Sequence, residues 1–277
     1  MKSITRAIDI FLYTSLFTAC CATGLCMATG RLILGSTPPV FCSLHFLVFG
    51  STLLVYNTPR IARQPDTDNP EKGKYRPFYY IFFFIGKLLT IISLSELSLQ
   101  LQLSSLGLGI FAFAYFLPVL PFKEKKRLRD FGWLKIIVLA GVWTTATSVL
   151  PMLYWHKNIA DFPLEILIRL VFIFTLCVIF DIRDIRKDMS SNISTLPGRV
   201  GLRNSYLLIN FTLLLFVGLS IFQYWRYPSL PRLAGALLTA VLTRVIVSYL
   251  RTKPSARAYL ILADGAMIIY SLLVLLN

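Results

Sequence analysis

Ile166-Leu167-Ile168-Arg169-Leu170-Val171-Phe172-Ile173-Phe174-Thr175-Leu176-Cys177-Val178-Ile179-Phe180 is apolar apart from Arg169 and Thr175. It runs directly into Asp181-Ile182-Arg183-Asp184-Ile185-Arg186-Lys187-Asp188. A hydrophobic helix therefore ends in a cluster of acids. At about 100° per residue, Asp181, Asp184 and Asp188 fall within roughly 60° of one another on one helix face, with Arg183, Arg186 and Lys187 on the others. Carboxylates at these spacings repel by roughly 0.2–0.5 kcal/mol per exposed pair. A cation between them reverses that sign. Three hard oxygen donors suit Mg²⁺, which keeps several waters and binds through one or two carboxylates plus substrate phosphates. The plainer alternative, a solvated charge run at the end of a membrane helix, stays open on spacing alone.

Working outward, the chain of 277 residues is 56% hydrophobic and carries a net charge of +15. Runs of about 20 mostly apolar residues mark membrane-spanning helices. Nine are expected, at 8–30, 38–58, 77–98, 104–120, 133–155, 163–182, 204–224, 229–250 and 256–276, forming one polytopic membrane domain over 1–277. The third and fourth are joined without an intervening charge and are the pair most easily counted as one. Prolines 38, 39, 118, 121, 228 and 231 fall at the proposed ends, where a missing N–H matters least. Lys2 and Arg6 ahead of an apolar stretch mimic a signal peptide, but the stretch is long and lacks a small-x-small cleavage site. It reads as a retained first helix.

Charge supports this drawing. The N-terminus and every second connection carry 21 of the 28 Lys and Arg residues, and the opposite side carries four. That bias puts the N-terminus in the cytoplasm and Asn277 outside. It also explains the positive charge through topology rather than nucleic-acid binding. The five cysteines lie in apolar runs and form no Cys-x-x-Cys, which argues against a disulfide framework or a zinc site. His45 and His156 come with no partner pattern.

After the acids comes Thr195-Leu196-Pro197. Asp181-x-x-Asp184-x-x-x-Asp188 followed by Thr195-Leu196-Pro197 resembles the second aspartate-rich motif of the UbiA superfamily of intramembrane prenyltransferases. The naphthoate-type and chlorophyll-type members look most similar. The resemblance implies an all-α bundle of nine spans in this orientation, with the active face in the cytoplasm. It also implies transfer of an isoprenoid group from a prenyl diphosphate to a lipophilic acceptor, expected to be aromatic. Mg²⁺ is the implied cofactor, with Asp181, Asp184 and Asp188 as metal ligands and Asp184 and Asp188 as catalytic carboxylates.

The family's matching first motif, Asn-x-x-x-Asp-x-x-x-Asp, reads here Asn57-x-x-x-Ile61-x-x-x-Pro65, so only the Asn is kept. Asp66 and Asp68 lie nearby but out of register. Arg60 or Arg63 in that neighbourhood would pair with diphosphate, or with Asp184. Asn57, Arg60, Lys126, Arg127 and Lys135 are the expected substrate-binding residues, the last three on the basic connection that in the family contacts diphosphate. Membrane-headgroup contacts are the alternative for that basic run.

Charges inside spans are costly and usually paired or functional. Arg244 and Asp264 sit at similar depth on consecutive antiparallel helices and are expected to form an ion pair. Lys87 is expected to face a central cavity, Glu96 lies near the outer end, and Arg169 has no obvious partner in the sequence.

Two other functions compete. One is a divergent UbiA-like protein that binds isoprenoid or pigment precursors without standard transfer. The other is a transporter using Lys87, Glu96, Arg169, Arg244 and Asp264 as a polar path. Membrane lipids are expected partners, nucleic acid and an obligate protein partner are not, and a bacterial inner membrane is the expected location.

Overall fold

The structure is a computed structural model that describes residues 2–36, 38–62, 75–118, 127–190 and 195–276. Those residues form ten helices, in the order α1 (Lys2–Tyr13), α2 (Leu16–Leu34), α3 (Ser43–Ala62), α4 (Arg76–Ser95) and α5 (Leu99–Phe116), then α6 (Leu134–Tyr154), α7 (Pro163–Ser190), α8 (Leu196–Arg226), α9 (Leu230–Thr252) and α10 (Ala256–Leu275). Eight of them, α2 and α4 to α10, are long and apolar enough to cross a membrane. The 20-residue α3 falls outside that set, because Asn57, Pro59 and Arg60 make its last turns polar. The chain is a multi-pass membrane protein.

The third and fourth expected spans are separate helices, divided by the turn at Glu96–Ser98. The first expected span is instead broken. Ser15 takes a left-handed conformation (φ 62°) between α1 and α2. A Ser there is uncommon, and the carbonyls it frees need donors. α3 supplies them: Asn57 Nδ2 donates to the Thr14 carbonyl at 2.9 Å, and the Arg60 guanidinium donates to the Tyr13 carbonyl.

Helices adjacent in sequence pack side by side from α5 to α10, and α10 closes the ring against α2, which packs in turn on α3. α4 lies against α3, where two glycines let the backbones touch: a Cβ on Gly86 would stand 2.7 Å from the Gly50 carbonyl oxygen. Close approach through small residues is how membrane helices gain contact without help from water. The outer faces of α4 and α5 are strongly apolar, with Phe84, Leu88, Leu103 and Ile110 exposed to the surroundings that lipid would fill. The centre is rich in aromatic rings. Phe172 of α7 stacks within 5.4 Å of both Phe216 of α8 and Tyr270 of α10.

α7 extends past the expected 182 to Ser190, so the three aspartates do lie on one helix. α8 breaks at Gly201 (φ 81°, ψ 161°), close to the expected start at 204, and a short helical piece precedes that kink from Leu196, where Thr195 caps it: its Oγ1 accepts the Gly198 N–H at 3.3 Å, and Pro197 stands in the first turn. A hydroxyl at the cap and a Pro just inside are the usual start of a helix. The Thr-Leu-Pro motif thus starts the helical segment that follows the acidic cluster.

Candidate functional site

The acidic cluster meets a lysine. Lys135, in the first turn of α6, is buried with its Nζ 2.9 Å from Asp181 Oδ1 and 2.6 Å from Asp188 Oδ2. α6 packs directly on α7. A long, flexible ammonium stem is what reaches across such a contact, and its point charge serves two carboxylates at once. Asp184 behaves differently: Arg183 grips both its oxygens at 2.8 Å, and that guanidinium also lies 4.8 Å from the centre of the Phe180 ring.

The remaining expected site residues divide by location. Arg127 makes a fork on Asp130, with Nε to Oδ2 at 2.9 Å and Nη2 to Oδ1 at 3.1 Å, and closes a short turn before α6. Burial works to raise the Asp130 carboxyl, but the Arg127 hydrogen bonds and charge outweigh it and hold it below the usual carboxylate range. Asn57 is completely buried, and its amide donates to the carbonyls of Thr14 and Leu53 while its oxygen faces Arg60 Nη1 at 3.3 Å. Arg60 also lies 5.4 Å from the centre of the Tyr79 ring. Asn57 and Arg60 therefore brace the break between α1 and α2. Lys126 falls outside the described residues, as do Arg63, Pro65, Asp66, Asp68 and the side chains of Arg186 and Lys187.

Two sequence expectations fail. Arg244 and Asp264 do not pair: Arg244 points outward and bonds the Ser248 hydroxyl one turn on, while Asp264 is buried and accepts from Thr18 Oγ1 at 3.1 Å. Equal depth on neighbouring helices did not mean facing sides. α10 turns Asp264 toward α2 through a wide helical turn at Tyr259–Ala263. Lys87 also misses the cavity; it lies on the exposed face of α4.

A cavity of about 630 Å³ opens between α3, α4, α5 and α6. Its wall is almost wholly apolar, with Val48, Leu94 and Phe113 among its residues. Tyr56 and Trp143 are among its lining residues, and the Trp143 indole N–H donates to the Tyr56 hydroxyl at 3.0 Å. Phe116 packs edge-on against Tyr56 at 5.2 Å. Along α6, Trp143 is eight residues, or roughly 12 Å, from Lys135. A second wide turn, Thr145–Val149, shapes the wall beyond it. Such turns inside helices recur at functional sites. The sequence offers no pattern that singles out Tyr56 and Trp143 among its many aromatic residues.

The donor set can be judged for Mg²⁺. Among the described residues no group of three or more His, Cys, Asp or Glu is placed to hold a metal ion. Two carboxylates do converge, since Asp181 and Asp188 both reach one nitrogen. Asp181 Oδ2 is buried and has no hydrogen-bond partner, an orphaned hard oxygen. Two carboxylates with substrate phosphates and waters suffice for Mg²⁺. The residues fit one such ion.

The fold and the site define a class, multi-pass helical membrane proteins with an apolar cavity among the helices and a buried carboxylate–lysine cluster. Solved structures narrow it. The apo structure of a UbiA homologue from Aeropyrum pernix K1 superposes with a TM-score of 0.68 at 16% identity, over 92% of this chain and 97% of that one. A UbiA homologue from Archaeoglobus fulgidus bound to GPP and Mg²⁺ gives 0.61 at 12% identity, over 97% and 100%. Digeranylgeranylglyceryl phosphate synthase gives 0.56 at 15% identity, over 100% and 98%. No protein-family model and no curated protein matches the sequence. The chain has the UbiA fold.

Proposed function

We propose that this chain is a divergent UbiA-superfamily prenyltransferase, transferring an isoprenoid group from a prenyl diphosphate to a lipophilic, aromatic acceptor. The observation that carries the reading is the convergence of Asp181 and Asp188 on Lys135, which stands on the same helix as the cavity-lining Trp143, eight residues or roughly 12 Å away. Support also comes from the A. fulgidus homologue, which is bound to GPP and Mg²⁺.

Asp181 and Asp188 would hold Mg²⁺, with Asp184 supporting from the next turn. Bound there, the ion supplies positive charge to the leaving diphosphate. Lys135, held beside these carboxylates, would pair with a diphosphate oxygen. The prenyl C1–O bond breaks, the diphosphate leaves with the electron pair, and the acceptor's nucleophilic atom bonds C1 and loses a proton. Preorganised charge facing the leaving group is the main physical contribution of such a site. Tyr56, Trp143 and Phe116 offer ring faces beside the path of the allylic cation, and the apolar wall keeps water from capturing it. This face would lie toward the cytoplasm, a reading that the charge bias of the connections supports, in a bacterial inner membrane.

One observation favours a second reading, an isoprenoid-binding protein without transfer: Asn57 is committed to backbone carbonyls, and Ile61 stands where the family has an acid. Binding of geranyl diphosphate to purified protein in detergent, with and without Mg²⁺, tests both. Mg²⁺-dependent binding that Asp188→Asn abolishes is the expected result, and an acceptor screen then separates transfer from binding. Binding indifferent to both Mg²⁺ and Asp188→Asn would sink the metal role, and no binding in any condition would sink both readings.

A further inference from the structure

The cavity of about 630 Å³ has a mouth at the side of the bundle. From α5 to α10, helices consecutive in sequence pack on one another, but α4 and α5 do not pack along each other, although only the Glu96–Ser98 turn joins them. Each packs on α3 instead. Both still contribute to the cavity wall, α4 through Thr90 and Leu94, α5 through residues between Ser105 and Phe113. Leu106 and Ile110 line the cavity and are also 55% and 66% exposed, so the same side chains meet its interior and the surroundings. They lie in the middle of the 18-residue α5, a helix long and apolar enough to cross a membrane. The mouth therefore stands at the depth of the hydrocarbon and not among the headgroups.

A glycine leaves the room. Gly109 lines the cavity together with Ser105 and Phe113, one turn to either side, and nothing lies within 4 Å of a Cβ built there. The wall offers little polarity to what enters. The hydroxyls of Ser51, Thr52, Thr90 and Thr147 each donate back to a carbonyl of their own helix. What covers the mouth of a multi-pass protein at this depth is bilayer hydrocarbon, so only a molecule dissolved in the membrane presents itself there. Such a molecule exchanges one apolar environment for another, because lipid tails are as apolar as these side chains. We propose that the gap between α4 and α5 is a lateral entrance through which a lipophilic ligand passes from the bilayer into the cavity. On the prenyltransferase reading, on which this step rests, that ligand is the acceptor, and it reaches the cavity without crossing water.

Trp143 lines the cavity and is itself buried, so it reports on what enters. The test is its fluorescence in the full chain reconstituted in phosphatidylcholine bilayers, with a long-chain fatty alcohol brominated along its chain as the probe, since bromine quenches an indole it touches. Trp133→Phe, Trp155→Phe and Trp225→Phe together leave Trp143 as the only indole. Its emission should fall with the brominated alcohol and not with the unbrominated one. Gly109→Phe, which fills the open space at the mouth, should remove most of that loss. Gly107→Phe should not, because Gly107 has equal room but lies about 160° round α5 from Gly109 and outside the cavity lining. The same difference between the two glycine variants should appear with all four indoles present, so the result does not depend on the triple variant folding. Equal quenching in the two glycine variants, or no loss of emission in either background, would overturn the entrance. None of these measurements uses diphosphate or Mg²⁺. Absent quenching beside intact Mg²⁺-dependent diphosphate binding would remove the entrance alone, and the converse would remove the prenyltransferase reading alone.

Discussion

The Trp143 indole N–H and the Tyr56 hydroxyl are joined at 3.0 Å, linking α6 to α3 in the cavity wall. The rings meet edge to face, with centroids 6.4 Å apart. The rest of the cavity wall is almost wholly apolar, so the bond fixes how the two helices stand along it.

Tyr56→Phe leaves the indole N–H unbonded and should destabilise the protein by roughly 1–3 kcal/mol. Trp143→Phe removes the donor and leaves a gap as well. If the bond is what couples them, the double variant is less damaging than the sum, with an interaction of about 0.5–3 kcal/mol. Thermal unfolding in detergent reads this. Additive losses would mean that each ring acts through packing alone.

Lys135 is predicted to hold the acidic cluster together in the absence of ligand. Lys135→Met strands Asp181 and Asp188 without their shared cation, and breaking a buried pair costs about 3–5 kcal/mol. Mg²⁺ should restore part of that loss, because the two carboxylates converge on one position. Chelator should therefore lower the Tm of Lys135→Met while leaving the unliganded parent protein unchanged. Equal melting of the variant in Mg²⁺ and chelator would remove the case for a metal between Asp181 and Asp188.

Asn57 gives a contrasting expectation. Its amide bonds the Thr14 and Leu53 carbonyls, so Asn57→Leu leaves buried acceptors and should cost roughly 1–3 kcal/mol. The loss should appear in stability. Diphosphate affinity measured below the melting transition should stay within a few-fold of the parent. A selective loss of affinity without loss of stability would return Asn57 to the substrate site.

Much of this molecule was legible in the sequence because bilayer thickness and the helical period constrain a chain in one dimension. The long apolar runs and the Asp181–Asp188 stripe on one face of α7 follow from spacing alone. What the sequence hid depends on rotation about helix axes. Arg244 and Asp264 share a depth yet face different ways, and nothing in their spacing shows that Asp264 turns to Thr18. Lys135 could be placed at the same end of the bundle as the acids, but its position between two particular carboxylates needs the packing of α6 on α7. The break at Ser15 was hidden because its stabilising groups, Asn57 and Arg60, lie over 40 residues away.

The glycine contact between α3 and α4 yields a prediction whose sign is set by geometry. A methyl group on Gly86 would stand 2.7 Å from the Gly50 carbonyl oxygen and 2.8 Å from the Leu54 nitrogen, and both are backbone atoms that no rotamer change can move. Gly86→Ala must push the helices apart. Overpacking of this kind costs on the order of 1–3 kcal/mol, occasionally more. Gly107 on α5 is the control, since nothing lies within 4 Å of a Cβ built there. Gly107→Ala should stabilise by about 0.5–1 kcal/mol through helix propensity alone. Because α3 also carries Tyr56, separating it from α4 should deform the cavity wall, and Gly86→Ala should weaken geranyl diphosphate binding while Gly107→Ala leaves it intact. If the two alanines melt alike, the close crossing of α3 and α4 is not a feature of the folded protein in detergent.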